Sequence, residues 1–520
     1  MRSIIRAFVA VVASGTMLIG AGVAGAAPEQ QPNADMAGVV GSITWTPCEE
    51  LPEVDCGKLS LPVDWSKPRG EKFDLAVARR KATDPSKRIG IMLINPGGPG
   101  GSGVNFALGA NQYFSPDVQA HFDIIGFDPR GVARSQPVQC SVDLLKKQPS
   151  LFPKDQAEFD QLKAYNQELV NDCRAKSGPI FDHVDTIAVT NDMDAIRHSL
   201  GERKINYYGV SYGTIMGQQY AERFGRRIRA MVIDSNMDHS LDVKGFNDTE
   251  AVTAEDSFQE FVKWCDRTES CALHGKDVAK IWDGLLAKAD RGELKDPDDP
   301  TGVLTAEVLT NVAFSVFYGP NWSYLAQWLN VLETQTSTLP PTTTSAFAGE
   351  VARNPFPAVF CQDYQFRVKN NNELTSLVDS AKRLAPHMRG SSLGHYAVAS
   401  CIGYPPKANN PQRKLRITTA PAILMLNSLH DPATAYAWAA NAHRQSRDKT
   451  VLLTYEGWGH GVYDRSDCTK GASDNYLINL TVPRDGTRCA AVEPPTTTTF
   501  ETKANTLPTG PKPGLPGWQR

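Results

Sequence analysis

The chain has 520 residues, 41% of them hydrophobic, and a formal net charge of −3. That length holds a large catalytic domain with an insertion, or two to three ordinary domains. The near-neutral balance offers no basic face, so nucleic acid is excluded as an expected partner.

Arg2 and Arg6 precede an apolar run from Ala7 to Val23, closed by Ala24-Gly25-Ala26. A charged start, an apolar stretch and a small-x-small site predict a signal peptide over 1–26 and a secreted or envelope-associated protein. Residues 27–236 are read as the first part of a catalytic core. Lys58–Val63 and Phe73–Ala78 are β-like and suggest an antiparallel opening. The short apolar runs Ile89–Ile94, Phe122–Phe127, Ile205–Tyr208, Ala230–Ile233, Ala422–Leu426 and Thr450–Thr454 suit strands buried on both faces. Helical segments separate several of them, which predicts an α/β fold: a mostly parallel sheet with helices on both faces.

Between Ile233 and Ala422 the strand pattern stops. Val252, Phe258, Phe261, Val262 and Cys265 mark one amphipathic helix. Val278, Ile281, Trp282, Leu285 and Leu286 mark a second, and Trp322, Leu325, Trp328, Leu329 and Leu332 a third. Residues 237–400 therefore read as a large helical insertion whose Trp stripes serve helix packing. Residues 401–492 return to the core, and 493–520, rich in Pro, Thr and Gly, read as a disordered tail. No stretch after the signal segment is apolar enough to span a membrane.

There are ten cysteines, none in a C-x-x-C pair. In an exported chain an even count favours disulfides over metal ligands. Sequential pairing (48–56, 140–173, 265–271, 361–401, 468–489) is the simplest arrangement; sequence leaves the connectivity open.

The chemistry is concentrated in Gly209-Val210-Ser211-Tyr212-Gly213, a G-x-S-x-G motif. A β-type run precedes it and a helix-type run follows, so Ser211 is expected on a sharp elbow with its hydroxyl exposed as a nucleophile. Upstream, Asn95-Pro96-Gly97-Gly98-Pro99-Gly100-Gly101-Ser102-Gly103 follows a strand. Gly98, Gly100 and Gly103 match a dinucleotide fingerprint, but Pro96 and Pro99 remove amides that a phosphate cradle would use. The better reading is an oxyanion loop, in which the amide of Gly97 or Gly98 works with that of Tyr212. A base and an acid should follow in the order Ser, Asp, His. His460, in Gly457-Trp458-Gly459-His460-Gly461, follows the last strand and is the candidate base. Asp431, after the strand Ala422–Leu426, is the candidate acid that orients it. Asp128 reads as a loop organiser and Asp234 as the rival acid. Such chemistry needs no metal and no organic cofactor.

Segments Asn95–Gly103, Phe127–Ser135, Gly209–Gly213, His430–Thr434 and Gly457–His460 resemble the secreted tripeptidyl-aminopeptidase-like serine peptidases, relatives of the prolyl iminopeptidases in the α/β-hydrolase superfamily. The resemblance implies an α/β-hydrolase fold with a helical lid, a Ser211–Asp431–His460 triad and a supporting place for Thr434. It also implies release of short peptides from free N-termini of peptide or protein substrates. An ammonium group must then be recognised, and Asp363, Glu250, Glu255 and Asp256 are the acidic candidates. The alternatives are a carboxylesterase or lipase using the same triad, and a non-catalytic binding protein of the cell envelope.

Overall fold

A computed structural model describes residues 38–297, 302–334, 349–405 and 407–496. The expected signal peptide over 1–26 and the part of the expected tail beyond 496 lie outside the described residues. The strands are β1 Thr46–Pro47, β2 Asp55–Pro62, β3 Lys72–Arg80, β4 Gly90–Asn95, β5 Phe122–Phe127, β6 Gln139–Ser141, β7 Ile205–Val210, β8 Ile228–Asp234, β9 Val351–Arg353, β10 Ile423–His430, β11 Thr450–Trp458 and β12 Arg488–Cys489. Ten form one sheet in the order β1-β2-β3-β5-β4-β7-β8-β10-β11-β12. The pairings from β1 to β5 through β2 and β3 are antiparallel. The remaining pairings are parallel. Both the antiparallel opening and the parallel centre match the sequence reading.

The apolar runs explain the centre. All six residues of β4 and of β7 are buried. Alternate side chains of β7 enter different cores: Ile205 and Tyr207 on one face, Tyr208 and Val210 on the other. The second core holds an aromatic knot in which the hydroxyls of Tyr113 and Tyr208 meet at 2.5 Å. The Tyr208 hydroxyl donates onward to Asp234 Oδ2 at 2.8 Å.

The insertion consists mainly of helices, among them Val243–Arg267, Val278–Asp290, Ala306–Tyr318, Trp322–Thr334, Pro355–Asp363, Asn371–Leu384 and Ser392–Ser400. Three expectations need correction. The insertion is not free of strand, since β9 pairs with β6 in a separate two-stranded ribbon. Its three residues carry no apolar run that could signal a strand. Val252 is also 49% exposed, off the buried stripe of its helix. The Trp stripes do pack helices: Trp264 meets Trp322, and Trp322 meets Trp458 of β11. The expected tail boundary is early, because Glu493 pairs with Arg267 and the Pro495 carbonyl accepts from Ser323. No helix among the described residues is long and apolar enough to cross a membrane.

The five sequential cysteine pairs are all joined as disulfides. Inside the core, Arg130 forks onto Asp192, with both bonds at 2.7 Å, and both side chains are fully buried. Its remaining donors reach the carbonyls of Pro62, Val63 and His183. Removing one partner strands a buried charge, so Arg130→Met should cost about 3–5 kcal/mol. Replacing both, Arg130→Met with Asp192→Leu, should recover most of that loss. Shifts in urea midpoint measure both; a double variant as weak as the single would reject the stranded-charge account.

Candidate active site

The parallel strands end on one side, and three of those ends carry the candidate triad. Ser211 follows β7 and precedes the helix Tyr212–Phe224, with φ 58° and ψ −123°. A left-handed φ at a non-glycine residue costs about 1–3 kcal/mol and persists only where the surroundings enforce it. Here the Ser211 amide donates to the Asp234 carbonyl at 2.9 Å, and its carbonyl accepts from the Thr214 hydroxyl at 2.6 Å. The elbow leaves no room for a side chain at Gly209, where an added Cβ would lie 2.7 Å from the Gly213 carbonyl oxygen.

Asp431 follows β10 and His460 follows β11. His460 Nδ1 lies 2.9 Å from Asp431 Oδ1 and 3.1 Å from Oδ2, and both side chains are fully buried. The carboxylate also accepts from the amides of Ala433 and Thr434 and from the Thr434 hydroxyl, each at 2.9 Å. The Thr434 oxygen is 3.3 Å from His460 Nδ1. Burial pushes the Asp431 carboxyl up, but His460 and the two amides outweigh it and hold the carboxyl below its usual value. The Asp–His pair thus fixes the proton on Nδ1 and leaves Nε2, buried and with no hydrogen-bond partner, as a proton acceptor. No hydrogen bond joins Nε2 to the Ser211 hydroxyl, a contact that commonly tightens only when substrate binds.

The rival acid has a different task. Asp234 Oδ2 accepts from Tyr208 and from the amides of Val462 and Tyr463. It therefore ties down the turn that carries His460, without reaching the imidazole. Its carboxyl is pushed up to about 6, by burial first, against the pull of those donors. Asp128 organises its loop as expected, accepting from the Ser102 hydroxyl and from the amides of Val104 and Arg134. Its carboxylate thereby occupies the start of the helix Gly103–Leu108, where a bound phosphate would otherwise sit.

The candidate oxyanion loop abuts the elbow. An added Cβ on Gly97, at φ 83°, would meet the Val210 carbonyl oxygen at 2.4 Å and Tyr212 N at 2.9 Å. The two alternatives separate here. The Gly97 amide donates to Asn95 Oδ1 at 2.8 Å, so it is already engaged. Gly98 lines the cavity beside Ser211 and Tyr212. Tyr212 opens its helix, so its N–H is one of the end donors that the helix leaves unpaired.

The acidic candidates fare differently. Glu250 lines the same cavity as Ser211, with Met237, Phe246, Phe356 and Phe360. It is fully buried; Oε2 accepts from the Ser391 hydroxyl at 2.9 Å, and Oε1 has no partner. Burial pushes its carboxyl well above the usual range; Ser391 pulls it back and Asp431 adds to the rise. Asp363 is not in the cavity. It accepts from Thr186 twice, from Tyr212 and from Asn410, and so anchors the residue after Ser211. Glu255 accepts from Gln259 and from the amides of His387 and Met388, a contact within the insertion. Asp256 pairs with His430 at 2.7 Å. The expectation that Asp363 or Glu255 meets a substrate ammonium therefore fails on placement and on hydrogen-bond capacity.

Two residues escaped the sequence reading. Thr253, on the helix Val243–Arg267, donates to the Asp431 carbonyl at 2.5 Å. Tyr318, ending another helix of the insertion, packs its ring edge-on to the His460 imidazole and accepts from the His460 amide at 2.8 Å. No local sequence signal links a helix of the insertion to loops more than a hundred residues away.

The chain matches a family model described as alpha/beta hydrolase fold over residues 90–373, and one described as TAP-like protein over residues 388–489. It is 32% identical over 487 residues to the serine protease Hip1 of Mycobacterium tuberculosis, covering 86% of this chain and 91% of that protein. It is 28% identical over 474 residues to a tripeptidyl aminopeptidase of Streptomyces lividans, covering 86% of each. A carboxylesterase B of Mycobacterium tuberculosis is also 28% identical, over 492 residues, covering 86% of this chain and 90% of that protein.

Proposed function

The chain belongs to the α/β-hydrolase superfamily, among its TAP-like proteins, and from that premise we propose that it is an exported serine aminopeptidase cleaving peptide bonds near free N-termini. Ser211 attacks the scissile carbonyl while His460 Nε2 takes its proton. The amides of Gly98 and Tyr212 hold the oxyanion. His460 then gives the proton to the leaving amine, and water, activated by the same base, hydrolyses the acyl-enzyme. Asp431 orients His460, and Thr434 steadies that pair. The five disulfides support export to an oxidising compartment.

One observation carries the choice of peptidase over esterase: Glu250, a buried carboxyl with a free oxygen, faces the cavity that also holds Ser211. Aromatic and aliphatic walls would take an acyl ester equally well. A buried acid with spare accepting capacity suits a cation, and a substrate's terminal ammonium is that cation. Glu250→Gln should lower kcat/KM for unblocked peptides by about 10- to 100-fold, the worth of a hydrogen bond to a charged group. Acetylated peptides and simple esters should lose less. Mass spectrometry of products from paired free and acetylated peptide libraries reads both. Equal turnover of esters and blocked peptides, with no preference for free N-termini, would instead favour the carboxylesterase reading.

The raised Glu250 pKa adds a pH signature. In the empty cavity the carboxyl favours its proton; an arriving ammonium favours the carboxylate, so binding expels that proton. Affinity must then rise with pH until the ammonium itself deprotonates near about 8. Binding of an unblocked peptide amide to Ser211→Ala should tighten from acidic to neutral pH. A Ser211→Ala, Glu250→Gln double variant should bind with a flatter profile; identical profiles would remove Glu250 from ammonium recognition.

A further inference from the structure

Outside the triad, Asp256, Glu260 and His430 offer ligand atoms that all lie within 4.8 Å of one another. Asp256 and Glu260 are four apart on the helix Val243–Arg267, so they project from one face. His430 is the last residue of β10. The group therefore joins the insertion to the core strand that carries Asp431.

From these residues we infer that this junction is a binding site for a divalent transition-metal ion, with Zn²⁺ as the type ion. One imidazole and two carboxylates form a borderline donor set that suits Zn²⁺ better than Mg²⁺ or Ca²⁺, which take oxygen ligands. Bonds of about 2.0–2.2 Å place donors around a tetrahedral ion roughly 3.3–3.6 Å apart, so the widest separation in the group closes by about one ångström. Asp256 Oδ2, 2.7 Å from His430 Nδ1, opens by roughly 0.6–0.9 Å to admit the ion between them. Water would complete the coordination, since the Asp256 and His430 side chains are 39% and 23% exposed and open a path for entry.

The surroundings fit an ion. Trp458 Nε1 donates to Glu260 Oε2 at 2.8 Å, the kind of outer contact that holds a ligand in place, and its ring stacks beside His430. Lys263 now balances Glu260 at 2.7 Å, but its side chain is 64% exposed and can turn to solvent when an ion takes over that charge. Three residues before Asp256, Thr253 donates to the Asp431 carbonyl, and Glu250 lies one turn earlier. A bound ion clamps the helix that shapes the cavity to the strand end beside the triad acid. It has no part in the acyl transfer.

The test is titration of the full-length, chelator-stripped protein with ZnCl₂ by calorimetry, with MgCl₂ in parallel. The expected result is one saturable Zn²⁺ site, no Mg²⁺ binding, and a raised thermal midpoint with Zn²⁺. Asp256→Asn and His430→Ala should each weaken Zn²⁺ by about tenfold or more. Asp256→Asn changes a half-exposed, near-isosteric side chain, so it reports even where His430→Ala disturbs the fold. Co²⁺ substituted for Zn²⁺ should give visible absorption that Asp256→Asn lowers at the same Co²⁺ concentration. No saturable binding, or Zn²⁺ binding unchanged in Asp256→Asn, would overturn the inference. The second result would move the ion to another histidine–carboxylate pair, such as His387 with Asp283.

Discussion

Ser211→Ala is expected to lower kcat by about 10⁶-fold, close to 8 kcal/mol of transition-state stabilisation, while leaving stability nearly unchanged. The two halves of that result have separate causes. Without the hydroxyl no acyl-enzyme forms, and the remaining oxyanion donors and cavity give only a residual rate over water. The fold does not depend on the hydroxyl. What fixes the elbow is backbone: the Ser211 amide on the Asp234 carbonyl, and the Ser211 carbonyl held by Thr214. Alanine pays the same left-handed strain as serine at φ 58°. Steady-state turnover of an unblocked peptide, paired with a thermal midpoint, measures both. An organophosphonate probe should label the wild type at Ser211 and leave the variant unlabelled. Retained turnover in a folded Ser211→Ala protein would reject the nucleophile assignment, whereas a folded wild type with neither turnover nor labelling would favour a binding protein.

The features legible in the sequence were those written in short stretches of chain. Strands such as Phe122–Phe127 are buried on both faces, so their apolar runs mark them directly. Ser211, Asp431 and His460 each follow such a strand, so their place at the strand ends needed no tertiary information. Glu250 was one acid among several because its meaning depends on helix rotation. Phe246, Ala254, Phe258, Phe261 and Cys265 all lie on the buried stripe, and Glu250 falls on it too, one turn after Phe246. Val252 lies off that stripe at 49% exposure although it is apolar, so hydrophobicity alone does not mark the buried face. Gly97 and Gly98 could not be told apart, since the Asn95 side chain folds back onto one amide and spares the other. The strands β6, β9 and β12 have two or three residues each, too few for any periodic pattern.

Asp431→Asn is expected to lower kcat by about 10⁴-fold, or roughly 5.5 kcal/mol, in a protein that still folds. The asparagine oxygen can keep the amide bonds now received from Ala433 and Thr434 on Oδ1. Its NH₂ group takes the place of Oδ2, and the Thr434 hydroxyl can rotate to accept. The harm is to the imidazole. An amide NH₂ facing Nδ1 makes that nitrogen an acceptor and drives the proton to Nε2, the atom that must receive the Ser211 proton. Asp234→Asn is the decisive comparison, because it too removes a buried charge near this end of the sheet. Asp234 holds the amides of Val462 and Tyr463 and makes no bond to the imidazole, so its loss should loosen the turn without reversing the tautomer. The expected pattern is a large fall in kcat with an unaltered thermal midpoint for Asp431→Asn, and a lower thermal midpoint with a smaller fall in kcat for Asp234→Asn. The opposite ranking in folded proteins would transfer the acid's role to Asp234.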